Sequence, residues 1–397
     1  LIKSQKNKMS IKKIYLDYAS TTPIAEDVKT DIKSVLDNDL FGNPSSLDHE
    51  YGSLVNELIE SSRTDVAKLI NADGDEIIWT SGATEANNLA LMGFAEFKMK
   101  DRPLRIASSF IEHKSVIEPL MELKQKGHSV EFIAPNHDGY IDPDVISTTL
   151  DNGVDLLSCM HINNEVGSTN DIALIGSLCR DKGTVFHVDA AQSNGKLSLD
   201  VRENNIDLMS LSAHKVYGPK GVGALFVNHE TVGRLKPLIF GGGQERGMRP
   251  GTLATHQIVG MASAFRLAKS SMQKDHIHLS KCRELFLESI KDIEGLKING
   301  DPKNAYPGII SLCFPDLNAD SLIFAMDDLA VSKGSACATD SDEPSHVLKS
   351  MGLSQAEING TIRISFGRKT LHQDIERASS SVRAASEHLR LVSGETL

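Results

Sequence analysis

Residues 156–215 read LLSCMHINNEVGSTNDIALIGSLCRDKGTVFHVDAAQSNGKLSLDVRENNIDLMSLSAHK. Three short apolar runs lie in it: LLSCMHI (156–162), TVFHV (184–188) and DLMSLSA (207–213). Each has the length of a buried strand, and each closes on a polar cluster: NNE, DAAQ and HK. Amphipathic stretches alternate with such runs along the chain. Between Glu57 and Ile70, the residues Leu58, Ile59, Val66, Leu69 and Ile70 recur at helical intervals. Further on, EIIWTSGATEANNLALMGFAEF (76–97) predicts a strand, a glycine turn and a helix. The alternation predicts an α/β fold with a mostly parallel sheet. Ligands of open α/β sheets bind outside the carboxyl ends of the strands, so three consecutive polar strand ends predict one site assembled from them.

Beyond about residue 265 the texture changes. A long helical stretch (258–293) leads to IISLCF (309–314) and a polar loop, SKGSACATDSDEPS (332–345). The strand TIRISF (361–366) and a last helix follow. We expect a large domain at 23–265 and a smaller α/β domain formed by 1–22 and 266–397.

The chain has 397 residues, enough for a large core and two domains. A formal net charge of −11 argues against a broad basic face for nucleic acid, although not against docking to a partner that holds one. No run of 18 or more apolar residues occurs, so no spanning helix and no membrane association are expected. The first residues, LIKSQKNKMS, are polar and basic without the apolar core of a signal peptide. Met9 is a candidate start, with residues 1–8 then a foreign leader. The five cysteines (Cys159, Cys179, Cys282, Cys313 and Cys337) are too far apart for CxxC pairs or structural zinc, and no metal is expected. An odd number without a secretory signal fits reduced thiols in the cytoplasm.

Several stretches carry possible chemistry. In SAHKVYGPKG (212–221), Lys215 follows an apolar strand; partly desolvated, its amine would be able to form a Schiff base. A solvent-exposed loop lysine would read the same. Asp189 closes TVFHV, where a carboxylate can keep a pyridinium nitrogen protonated; Gln192 follows three residues later. The competing reading has Asp189 capping a helix that begins at AAQS. In SGATEANN, Ser81, Gly82, Ala83 and Thr84 would present N–H groups and hydroxyls at a helix start, a phosphate cradle. A plain capped helix is the alternative, and the missing lysine excludes a Walker A loop. His113, in FIEHKS, is either a surface histidine or one that stacks on an aromatic ring. Cys159 and Cys313 sit in apolar runs, and Cys179 and Cys282 on predicted helices. Cys337, in GSACATDSDEP, has the surroundings of an exposed loop, and is the cysteine placed as a nucleophile.

Together, DYASTTP (17–23), GNPSS, TSGATEANN, EHKS, INNEVG, HVDAAQ, SAHKVYGPKG, GGGQERGMRPGT, GSAC and IRISFGR resemble the cysteine desulfurases. The match is to the NifS/IscS-like group with a long active-site loop, within the class V aminotransferases, and it covers the chain from Tyr15 to about Arg390. The resemblance implies a fold-type-I enzyme using pyridoxal 5'-phosphate (PLP), with a mostly parallel seven-stranded sheet in the large domain. It implies that Lys215 binds the cofactor covalently, Asp189 pairs with the ring nitrogen, Gln192 contacts the ring oxygen and His113 stacks on the ring and shuttles protons. Ala83, Thr84, Ser212 and His214 would hold the phosphate, with Thr252 reaching in from the other subunit of a homodimer. Asn164 and Arg363 would bind the carboxylate of L-cysteine. Cys337 would attack the substrate sulfur, release alanine, keep a persulfide and pass it to an acceptor protein.

Lys333 before GSAC and the acidic stretch after Cys337 depart from the pattern. The sequence ends at HLRLVSGETL without an extended tail, which favours a dedicated pathway, such as DNA phosphorothioation or tRNA thiolation, over iron–sulfur assembly. The alternatives are a selenocysteine lyase or an aminotransferase of the same fold, neither of which needs the loop cysteine, and a non-catalytic scaffold, which would not need Lys215 or Asp189.

Overall fold

The computed structural model describes residues 13–98, 102–334 and 344–393. The expectations for residues 1–8, Met9 and Cys337 fall outside them. The strands are β1 (Ile14–Tyr15), β2 (Ile77–Thr80), β3 (Arg105–Ser109), β4 (Ser129–Ile133), β5 (Leu156–Ser158), β6 (Val185–Asp189), β7 (Leu208–Ser212), β8 (Gly223–Val227), β9 (Lys297–Asn299), β10 (Ile309–Cys313), β11 (Leu329–Ala330), β12 (Ser332–Lys333) and β13 (Thr361–Ser365). The helices used below are α1 (Glu26–Asp37), α2 (Glu50–Leu69), α3 (Ala83–Lys98), α4 (Lys114–Gln125), α5 (Pro143–Asp151), α6 (Ile172–Lys182), α7 (His229–Val232) and α8 (Thr255–Ile290).

The chain divides into two compact units. The larger comprises 21–163 and 169–273; the smaller comprises 1–20, 164–168 and 274–397. The division falls inside α8, a single continuous helix. It also assigns 164–168, in the middle of the first-quoted stretch, to the smaller unit, an excursion that periodicity carries no sign of.

Among the described residues the larger unit has a seven-stranded sheet, in the order β2-β8-β7-β6-β5-β3-β4. The pairs β4–β3, β3–β5, β5–β6 and β6–β7 are parallel, while β8 runs antiparallel to both β7 and β2. Every residue of β6, β7 and β8 is buried. Helices cover a parallel sheet on both faces, which is why these strands read as unbroken apolar runs. The polar residues inside them pair across the sheet. The His187 ring in β6 lies 2.8 Å from Ser158 Oγ of β5 and 3.1 Å from Ser210 Oγ of β7. Burial lowers the pKa of this imidazole to about 4, so it stays neutral.

The run 156–162 was expected to be strand throughout, but β5 ends at Ser158. Beyond it Met160 N turns to the Glu112 carboxylate at 2.5 Å, while Cys159 N and His161 N still donate to the His187 and Asp189 carbonyls of β6 at 3.0 and 3.2 Å. No helix begins at AAQS; residues 191–196 form successive turns.

In the smaller unit, β12-β13-β10-β9 form an antiparallel sheet, and β1 pairs parallel with β11. Ser332 and Lys333, expected in a polar loop, instead form the edge strand β12 against β13. The N-terminal segment threads into this unit: Leu16 N donates to Ala330 O at 2.9 Å, and Ser365 N to Leu16 O at 2.7 Å.

One buried ion pair ties the loop 241–252 to the larger unit. Glu245, 7 % exposed, accepts from both terminal nitrogens of Arg63 on α2 (2.7 and 2.8 Å) and from Trp79 N of β2 (2.7 Å). The Arg63 guanidinium also lies 5.5 Å from the centre of the Trp79 ring. Removing one partner of a buried pair strands the other charge and costs about 3–5 kcal/mol. Glu245→Gln is therefore expected to lower unfolding free energy by about that amount in chemical denaturation. A loss below about 1 kcal/mol, the range of exposed pairs, would show that water reaches the pair.

Candidate active site

The residues singled out in the larger unit gather at one end of the sheet. Asp189 and Ser212 are the last residues of β6 and β7, His113 follows β3 and caps α4, and Ala83 opens α3 just after β2. These are the carboxyl ends of parallel strands, where the fold class places ligands.

Asp189 is 4 % exposed. Its Oδ1 accepts from Ala191 N and its Oδ2 from Asn87 Nδ2, both at 2.8 Å. It caps a turn rather than the helix that the competing reading required. Gln192 is buried and its Oε1 accepts from Lys196 Nζ at 2.9 Å. Asn194, fully buried, joins the two strand ends: its Nδ2 donates to Ser212 O (3.0 Å) and its Oδ1 accepts from Ser212 N (3.1 Å).

Lys215 is half-buried on the turn after β7, and that turn is clamped by Thr21 and Thr22. Thr22 donates to the His214 carbonyl from both its N and its hydroxyl, each at 2.9 Å, and its Oγ1 accepts from Tyr217 N at 2.7 Å. Thr21 Oγ1 lies 3.1 Å from His214 Nδ1. Tyr217 has φ of +66°, a left-handed conformation that an L side chain adopts at a cost on the order of 1 kcal/mol. The three Thr22 bonds hold it there. Burial, reinforced by Lys215, Lys220 and Lys196, lowers the His214 pKa to about 4, so its imidazole is neutral at physiological pH.

The phosphate-cradle candidates meet the following test. Ser212 Oγ is buried with no hydrogen-bond partner among the described residues. Ser212 pairs with Gly223 in the β7–β8 ladder, and a Cβ on Gly223 would lie 2.7 Å from the backbone of Gly82. The turn before α3 therefore packs against the Ser212 register position, and the first N–H groups of α3 have no intrahelical acceptor. An orphaned hydroxyl beside a helix N-terminus fits a phosphate. Glu85 holds the same turn: it accepts from Ser81 N at 2.6 Å and pairs with Arg249 at 2.7 Å, so its carboxyl stays below the usual range despite burial.

Thr252 stands apart. It is exposed on the rim of a cavity of about 380 Å³ lined by Leu36, Leu40, Phe41 and Leu253.

In the smaller unit, Arg363 of β13 is 2 % exposed. Its Nη1 donates to the Asn164 carbonyl at 2.7 Å, and its Nη2 lies 2.9 Å from Asp17 Oδ1, 2.7 Å from Ser20 Oγ and 2.9 Å from Ser332 Oγ. Its Nε is buried with no partner among the described residues. That leaves a fixed guanidinium with an unused donor, suited to a carboxylate. Glu165, beside Asn164, accepts from Ser345 Oγ at 2.6 Å.

Of the five cysteines, Cys159, Cys179, Cys282 and Cys313 are buried, and burial is the main cause raising each thiol pKa. Among the described residues, the cluster Asp73, Glu76 and His229 has metal-ligand geometry, but Arg202 already bridges the two carboxylates.

Residue spacing does not reveal Thr22, Asn87, Asn194 or Asp17, whose partners lie far away in sequence. Thr22 lies inside DYASTTP and Asn87 inside TSGATEANN, so the motifs flag the segments without identifying what these side chains touch.

The aminotransferase class-V family model matches residues 14–378. A protein of Pseudomonas entomophila named cysteine desulfurase IscS is 45 % identical over 381 residues, covering 96 % of this chain and 94 % of its own. A solved structure described as a NifS-like protein superposes with a TM-score of 0.87 at 30 % identity, covering 96 % of this chain and all of its own. Another, described as SspA in complex with cysteine, superposes with a TM-score of 0.79 at 36 % identity, covering 89 % and 98 %.

A buried thiol of raised pKa resists alkylation, because the thiolate is the nucleophile. Native alkylation at neutral pH is therefore expected to label about one thiol per chain, and Cys337→Ser to abolish that labelling. Persistent labelling of Cys337→Ser would show that one of the other four thiols is reactive.

Proposed function

The chain belongs to the aminotransferase class-V family, and from that premise we propose how its residues divide the work of a cysteine desulfurase, with Cys337 carrying the sulfur. The enzyme converts L-cysteine to L-alanine and hands the sulfur to an acceptor. The observation that carries the site assignment is Asp189: a buried carboxylate at a strand end, beside the strand that leads to Lys215.

Ala83, Thr84, Ser212 and His214 would hold the phosphate of PLP; the orphaned Ser212 hydroxyl and the neutral His214 imidazole support this. Asp189 would pair with the ring nitrogen, Gln192 with the ring oxygen and His113 with the ring face, and Lys215 would supply the amine that anchors the group covalently. When bound, PLP supplies an electron sink for negative charge at the substrate Cα. Arg363 takes the substrate carboxylate with Asn164 beside it; the buried, unused Nε supports that role. The Lys215 amine would also serve as the base that removes the Cα proton. The Cys337 thiolate attacks the substrate sulfur. A sulfur–sulfur bond forms as the Cβ–sulfur bond breaks, and the electron pair of the broken bond stays with the carbon skeleton. Protonation of that skeleton yields alanine, and Cys337 keeps the persulfide.

The active form is a homodimer in which Thr252 of each protomer completes the phosphate cradle of its partner. The exposed apolar side chains near Thr252 support this: Leu36, Phe41 and Tyr51 are 60 %, 74 % and 62 % exposed, and Phe41 stacks on Tyr51. Exposed apolar clusters of this kind mark association surfaces. No helix among the described residues is long and apolar enough to cross a membrane, and we place the enzyme in the cytoplasm, where its thiols stay reduced.

The test is L-cysteine with a reductant, following sulfide, alanine and the visible spectrum. The wild type is expected to be yellow and to give both products. Cys337→Ala is expected to keep the colour and lose sulfide release by roughly a thousandfold or more, as when a nucleophile is removed; Lys215→Ala loses both products. Sulfide release by Cys337→Ala at the wild-type rate would make the enzyme a lyase without a cysteine nucleophile. Full activity in a monomer would remove Thr252 from the cradle.

A further inference from the structure

Four side chains of the larger unit form one hydrogen-bonded chain: Asp189 of β6, Asn87 of α3, Ser115 of α4 and His113 at the start of α4. Asn87 is fully buried, and its Nδ2 donates one hydrogen to Asp189 Oδ2 and the other to Ser115 Oγ, both at 2.8 Å. The amide cannot be turned over, because its oxygen would then face the Asp189 carboxylate. Ser115 Oγ, having accepted from Asn87, keeps its own hydrogen to donate, and it lies 2.8 Å from His113 Nδ1. Ser115 N also donates to His113 Nδ1, at 3.1 Å. A backbone N–H cannot reverse its role, so Nδ1 must present its lone pair. Every donor direction in the chain is thereby determined, from the carboxylate outward.

We propose that Asn87 and Ser115 are positioning residues that hold His113 in the neutral tautomer with its proton on Nε2, so that His113 presents an Nε2–H hydrogen-bond donor, and not a lone pair, to the reacting groups. Protonating Nδ1 would forfeit both bonds from Ser115, so proton traffic runs through Nε2 alone. The Asn87 amide ties this choice to the same carboxylate that serves the cofactor ring, so the two acid–base groups are set together. The tautomer follows from the hydrogen bonds alone. Its use as a hydrogen-bond donor rests on the function proposed above.

The test is nitrogen NMR of the holoenzyme carrying ¹⁵N-labelled histidine, with the His113 ring assigned by comparison with His113→Gln. The wild type is expected to show an unprotonated Nδ1 and a protonated Nε2. In Ser115→Ala the hydroxyl bond to Nδ1 is lost while the backbone N–H remains, so the Nε2–H tautomer is expected to stay dominant with a minor Nδ1–H tautomer appearing, and kcat to fall roughly fivefold, the worth of one hydrogen bond, with KM for cysteine little changed. Ser115→Thr, which keeps the hydroxyl, is expected to restore both. A proton on Nδ1 in the wild type overturns the proposal, and that measurement needs no substitution at Ser115. Unchanged ring signals and kcat in Ser115→Ala also overturn it. The ring signals are read without turnover, so a chain that fails to desulfurate cysteine can still show the proposed tautomer.

Discussion

The buried Asp189 carboxylate is the constraint around which the site in the larger unit is arranged. An ionised carboxylate taken from water loses several kcal/mol of solvation unless donors replace it. The larger unit brings two: Ala191 N, from the turn that follows, and Asn87 Nδ2, from α3. The first requires the chain to turn immediately after β6. The second requires α3 to lie alongside with Asn87 inward, and Asn87 in turn brings Ser115 and His113 into one chain of bonds. Parallel pairing of β6 with β7, with Asp189 opposite Ser210, brings the turn bearing Lys215 to the same end of the sheet. One buried charge thus links four segments distant in sequence.

The turn bearing Lys215 is held by backbone chemistry rather than by packing alone. Thr22 donates twice to one carbonyl and accepts from the strained Tyr217, so a single residue settles the turn's shape. The loop 241–252 is treated similarly, with the Arg63–Glu245 and Glu85–Arg249 pairs at two points along it. Loops that carry reactive groups gain precision when their backbone polar groups are satisfied by side chains of rigid elements. Here those elements are α2, α3 and the strand ends.

Burial also separates the cysteines by chemistry. A thiol in an apolar setting resists ionisation, and a neutral thiol neither attacks nor is readily modified. Cys159, Cys179, Cys282 and Cys313 all lie in such settings. An enzyme that must keep sulfur on one residue is served by having its remaining thiols silent.

The sequence by itself determined the class of the fold and the segments of the site. Short unbroken apolar runs fit strands covered on both faces, and polar clusters at their ends then fit the sheet's rim. So 184–189 and 207–215 were legible, along with Asp189, Lys215 and the helix start at Ala83. Burial of Cys159 and Cys313 followed from the same runs. The tertiary structure alone decided what those groups touch. The end of β5 at Ser158 came from the capture of Met160 N by Glu112, a long-range bond that local pattern does not encode. The short strand β12 arose in a polar stretch because β13 offered it an edge. The partners of Asp189 and Arg363 are Asn87 and Asp17, and no spacing rule joins residues 102 and 346 positions apart. Periodicity reports which face of an element is buried. The direction of a hydrogen bond depends on which other element arrives there, and that is settled only when the chain has folded.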